Sequence, residues 1–151
     1  MKAPQFYAEW IPVIHDFATG QNDEEVVEAM KNGYMPASQT PLTRLSYRME
    51  EAIKMRYTAI MEDFEKNQSE AHDEAGMEMA LNRLKDDLQK LKDAVYIPSL
   101  PDSIRSKFPD AVDQAADAVQ HSLEESAARD HTGLMSHLLQ NHRINDLQEA
   151  K

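Results

Sequence analysis

Apolar residues recur three and four positions apart along most of this chain, which is the helical period. The longest such stretch, Leu42 to Val95, contains no proline. In its first half Leu42, Leu45, Met49, Ile53, Tyr57, Ile60 and Phe64 step 3, 4, 4, 4, 3, 4. In its second half Met77, Leu81, Leu84, Leu88, Leu91 and Val95 step 4, 3, 4, 3, 4, an unbroken heptad seam. The extra four-residue step in the first half is a stutter that locally unwinds a left-handed supercoil. Between the halves, Glu65–Gly76 is polar apart from Ala71, Ala75 and the glycine, and Asn67, Gln68, Ser69 and Gly76 supply turn chemistry. As one rod the run would measure ~80 Å, whereas a fold at the polar patch gives two arms of ~37 Å, the size of a compact domain. The halves are nearly equal in length, so an antiparallel hairpin is expected rather than a rod.

The remaining sequence reads as further helices. Phe6, Trp10, Val13, Ile14 and Phe17 recur at helical spacing, Gly20 follows as a stop, and Pro12 is expected to kink or split that helix. Asn22 is placed to N-cap Asp23–Lys31, whose acidic first turn suits the positive end of the helix dipole, and Gly33 ends it. Tyr34–Pro41 reads as a loop, with Thr40-Pro41 as a cap and first-turn proline. Pro98 and Pro101 end the second arm, and a short turn is expected around Ser103–Lys107. Pro109 opens a helix with Val112, Ala116, Val119 and Leu123 on one face, Asp130–Gly133 forms a turn, and a last helix runs from Leu134 through Ile144 and Leu147. The expectation is an all-α bundle of five or six helices in one domain over 1–151. Aromatic-rich helices occupy 1–33, the central hairpin 41–96 and the C-terminal helices 109–149.

Charge narrows the partners. The 151 residues carry a formal charge of −11, which argues against direct binding of phosphate backbones or anionic membranes. It allows an acidic face to meet a basic protein partner. There is no cysteine, so disulfides, thiol catalysis and zinc ribbons are excluded and nothing points to an oxidising compartment. No signal-peptide pattern and no run of ~18–20 apolar residues is present, so a cytoplasmic protein is expected.

Candidate chemistry is sparse. His131, His137 and His142 do not share the i, i+4 spacing of a metal pair; on one helix the last two stand roughly 140° apart. No nucleophile elbow, phosphate-cradling glycine loop or EF-hand grammar occurs, and no cofactor is expected. Glu24-Glu25-x-x-Glu28 together with Glu70-x-x-Asp73 resembles, in pattern only, the carboxylates with which helical nucleotide pyrophosphatases gather magnesium. That resemblance implies Glu24, Glu25, Glu28, Glu70 and Asp73 as metal ligands in a hydrolase, although the two strings look too far apart for it.

Recognition features are better represented. Four of the ten aromatic residues (Phe6, Tyr7, Trp10, Phe17) fall in the first seventeen positions, including the one tryptophan. Phe6, Trp10 and Phe17 are therefore candidate anchors for a partner. Asp110, Asp113, Asp117 and Glu124 form an acidic stripe on one helix, and Met55 and Met79 fall off the hydrophobic seam, where adaptable side chains suit a contact surface. The reading is a non-enzymatic protein-binding protein: an adaptor, a secretion-type chaperone or a small inhibitor. Self-association through the central coiled coil and the metal-dependent hydrolase are the alternatives.

Overall fold

The first helix is defined by what it buries and by how it stops. The computed structural model describes residues 1–35 and 38–150. In α1 (Tyr7–Thr19), Trp10, Val13, Ile14 and Phe17 form the buried stripe. Gly20, at φ 75°, ends it. There the Gly20 N–H donates to Phe17 O (3.2 Å) and the Gln21 N–H to Asp16 O (3.1 Å), the paired bonds of a Schellman stop. Pro12 does not split the helix. Pro12 and Ala8 both lie on the exposed side, where water can satisfy the carbonyl that the missing N–H leaves, while the buried stripe holds both turns in place.

Helix α2 (Asp23–Lys31) has the expected bounds, but Asn22 makes no side-chain cap. Asn22 instead takes a left-handed φ of 50°, a conformation that asparagine tolerates better than most residues. Of the expected loop Tyr34–Pro41, residues 36 and 37 lie outside the described residues, and helix α3 (Gln39–Glu70) has already begun at Gln39.

Helices α3 and α4 (Glu74–Ala94) form the expected antiparallel hairpin, with Asp63 of the first paired to Arg83 of the second at 3.0 Å. The seam residues Leu81, Leu84, Leu88 and Leu91 are buried. The arms are not equal, however: 32 residues against 21. Most of the polar patch contains no breaker, so α3 runs on through Glu70. The reversal is confined to three residues, ending where Asp73 Oδ1 accepts the Gly76 N–H at 2.7 Å and caps α4.

The short turn α5 (Asp102–Arg105) leads into α6 (Lys107–Ala128) and α7 (Leu134–Asn141). Val112, Ala116, Val119 and Leu123 of α6 are buried as their spacing requires. The last helix stops at Asn141, short of Ile144 and Leu147. Ile144 is nonetheless fully buried, and its N–H donates to the buried Gln120 Oε1 at 2.8 Å. Further on, Gln148 exchanges two bonds with the Gln89 side-chain amide. Side-chain amides thus replace the helical ladder, which is why apolar spacing misplaces the helix end.

The interior falls into two clusters. One gathers α1, α2, the N-terminal part of α3, the end of α4, residues 95–100 and the start of α6. The other gathers Phe64, the first three turns of the α4 seam, the rest of α6, α7 and Ile144. Ile60 and Leu147 pack against both. The all-α bundle is thus observed: six helices and one short turn, with no strand among the described residues.

Candidate functional site

The predicted aromatic anchors separate into core and surface. Trp10 and Phe17 are fully buried, so neither presents area to a partner, and their assignment as anchors is corrected. Trp10 Nε1 donates to Tyr34 O at 2.7 Å. Phe17 lies under the Arg56 guanidinium, 5.0 Å from the ring centroid. Arg56 also donates to Phe17 O (3.1 Å) and, in bidentate fashion, to Asp23 at 2.7 and 3.2 Å. Both aromatics are interior because their stripe faces α3, whose own seam needs a cover there. Phe6, one residue before α1, is exposed.

The acidic stripe of α6 is largely committed within the fold. Asp113 pairs with Lys92 of α4 at 3.0 Å, and the Lys92 side chain is only 9% exposed. Asp117 accepts from Asn145 (3.1 Å), and Glu124 accepts from the Gln120 amide (2.9 Å). Asp110 is exposed. Two of the four carboxylates therefore tie α6 to α4 and to the C-terminal segment, and a third bonds within α6, so the stripe is not an open row of charge.

The proposed metal ligands are not brought together. Asp23, next to Glu24 and Glu25, is held at Arg56, and Glu70 lies 14 residues further along α3, about 21 Å by helical rise. Asp73 is occupied as the α4 cap. Among the described residues no group of three or more histidine or acidic side chains is arranged to hold a metal ion. The histidines also disperse: His137 faces Glu74 (3.9 Å), His142 faces Glu78 (3.1 Å) and His121 faces Glu125 (3.1 Å).

Two grooves flank α3. The first, about 1020 Å³, lies between α2 and the hairpin and is lined by charges of both signs. Three of its four lining cations are engaged. Arg56 and Arg83 hold carboxylates, and Lys31 donates to the Asp93 and Tyr96 carbonyls near the end of α4. Burial lowers the Lys31 pKa, with Asp93 opposing. Burial also raises the Asp87 carboxyl above its ordinary value, partly offset by Arg83. Those carbonyl and carboxylate pairings make this groove a structural seam.

The second groove, about 980 Å³, lies between α1 and residues 43–55 of α3. Ile11, Ile14 and Ala52 form its apolar part, while Tyr47 and Met55 stand beside it, 66% and 52% exposed. Arg44, Arg48 and Glu51 supply the charged rim, with His15 beside them, and Arg48 Nε donates to the Tyr7 hydroxyl at 3.2 Å. Met55 was legible as an off-seam residue. Tyr47 was missed, although it falls off the Leu45–Met49–Ile53 seam by the same logic. Met79 is exposed on α4, away from this groove.

Comparison of the chain with protein-family models, with curated proteins and with solved structures gives no match. No helix among the described residues is long and apolar enough to cross a membrane.

Proposed function

We propose that this chain works by binding protein, and that the contact face is the one built from α1 and the first five turns of α3. The occupant is a helix of another polypeptide, a second copy of the chain included. The observation that carries this is the exposure of Tyr47 and Met55 at the edge of a groove with an apolar floor. Large apolar side chains left in water beside a concave apolar surface are the usual mark of a docking face. A tyrosine offers rigid area at low entropic cost and a methionine adapts to its neighbour. The acidic stripe does not support the same role, because its carboxylates already hold Lys92, Asn145 and Gln120. The hydrolase alternative has no gathered ligand set behind it. A cytoplasmic setting goes with this reading, in keeping with the absence of cysteine.

The test places a photoreactive phenylalanine analogue at position 47 and, as a control, at position 79. Crosslinking in cells is expected from position 47 and not from position 79. Equal capture at both positions, or none at 47, refutes the reading.

A further inference from the structure

The exposed stripe of α3 is self-complementary. Arg44, Tyr47, Arg48, Glu51 and Met55 are all exposed and lie on one side of the helix, at i, i+3, i+4, i+7 and i+11. If two such helices cross antiparallel about a two-fold axis between positions 47 and 48, Arg44 of one meets Glu51 of the other, and the reverse pair forms at the same time. Tyr47 then lies against Arg48 of the other copy, again twice, with the guanidinium over a phenol ring.

Charge also permits a contact at this face. Two molecules each carrying −11 repel wherever carboxylates predominate. In the groove between α1 and α3 carboxylates do not predominate: Arg44 and Arg48 line it with the carboxylate Glu51. Glu51 has one intrachain partner, Lys54 at 3.4 Å, and both side chains are well exposed. Such a surface pair costs little to exchange.

We infer that the occupant of this face is a second copy of the chain, docked as a two-fold dimer in which the α3 helices cross antiparallel. Arg44 pairs with Glu51 of the other copy, and Tyr47 and Met55 are covered. The inference rests on the protein-binding reading given above. It differs from self-association through the coiled-coil seam, because Leu81, Leu84, Leu88 and Leu91 are interior.

Charge reversal tests it. Sedimentation equilibrium of the full chain at several concentrations is expected to give a monomer–dimer equilibrium. Arg44→Glu sets glutamate against Glu51 at both ends of the contact, and Glu51→Arg sets arginine against Arg44. Each single variant is expected to raise the dimer Kd by about tenfold or more. The double variant restores opposite charges at both pairs and is expected to recover most of the wild-type affinity. A merely destabilised fold would not produce that recovery, and unchanged thermal unfolding of all three variants checks it further. A wild-type chain that stays monomeric overturns the inference, as does a dimer indifferent to the single reversals or one that the double variant does not rescue. If the chain is monomeric while the probe at position 47 captures a different protein, the protein-binding reading stands and the dimer falls. If the probe captures nothing, both fall.

Discussion

A methyl group added at Gly33 would lie 2.7 Å from Trp10 Cζ2, 2.9 Å from Cη2 and 3.0 Å from Pro4 Cγ. Carbon atoms do not approach so closely without displacement, so Gly33→Ala must move either the ring or the loop. Neither is free to move. The ring is fully buried and its Nε1 is bonded to Tyr34 O. The Gly33 carbonyl accepts from Ser99 Oγ at 2.6 Å, and its N–H donates to Met30 O at 3.1 Å. Overpacking of this kind costs about 1–3 kcal/mol. Against it stands the ~0.4–1 kcal/mol by which alanine restricts the unfolded chain. The clash wins, leaving a net loss of roughly 1–2 kcal/mol, or about 2–8 °C in Tm at this size. Trp10 is the only tryptophan, so urea unfolding followed by its emission reads the contact directly. The partner experiment places Gly33→Ala in a Trp10→Leu background, where the offending ring atoms are gone. There the substitution is expected to be neutral or slightly stabilising, with both midpoints followed by far-UV circular dichroism. A midpoint for G33A at or above wild type, or an equal cost in both backgrounds, would refute the steric argument.

Three other sites make quantitative demands. Asp113→Ala leaves the Lys92 ammonium almost buried without its carboxylate; because Asp113 is itself partly exposed, the cost falls below that of a fully buried pair, roughly 1–3 kcal/mol in chemical denaturation. Adding Lys92→Met should recover much of that loss, and no recovery would count against the pairing. Gln120→Ala strips the acceptor from the Ile144 N–H, so it is expected to cost about 1–3 kcal/mol and to speed exchange of that amide well beyond its neighbours. At Asp87, burial raises the folded-state pKa, so the folded chain binds the proton more tightly than the unfolded chain. This contribution favours folding below the ordinary carboxyl pKa and is lost as pH rises through the raised value. Asp87→Asn should therefore raise Tm at pH 7 and lose the advantage toward pH 3; an equal shift at both pH values would rule out desolvation as the cause.

Local pattern carried the elements and much of the interior, and it faltered wherever a distant group decided the outcome. The seam through Leu81, Leu84, Leu88 and Leu91 is interior because four-three spacing leaves a helix only one apolar side to bury. The spacing of Trp10 and Phe17 is equally regular, but regularity alone does not say whether a stripe meets its own bundle or a partner. Here α3 lies beneath it, with Arg56 over the Phe17 ring. The carboxylates of α6 read as an acidic recognition stripe, yet Lys92 and Asn145 arrive from other segments to take Asp113 and Asp117. The end of α7 was misplaced for a related reason, since Ile144 keeps its helical spacing while its N–H is claimed by Gln120, 24 residues earlier. Gly33 is the clearest case. It was legible as a stop, but the ring that makes glycine necessary there comes from another helix.

The unequal arms of the hairpin account for the position of the proposed contact face. Asp63 is level with Arg83, and α4 ends at Ala94, eleven residues beyond that arginine. Eleven residues back along α3 from Asp63 is Ala52, so everything from Gln39 to Glu51 extends past the end of the other arm. That overhang still has Leu45 and Met49 to bury. Helix α1 covers one side of it, running parallel, with Tyr7 at Arg48 and the Phe17 carbonyl at Arg56. A single 13-residue helix laid against a longer one leaves a groove along the line of contact, and Arg44, Tyr47 and Glu51 of α3 line that groove and stay in water. The polar patch that failed to break α3 early therefore has a consequence at the far end of the helix. Had the arms been equal, α4 would have reached past Ala52 and competed with α1 for the overhang. The length mismatch makes the groove, and the arginines on its rim make it a face of an acidic protein on which a second acidic molecule can settle.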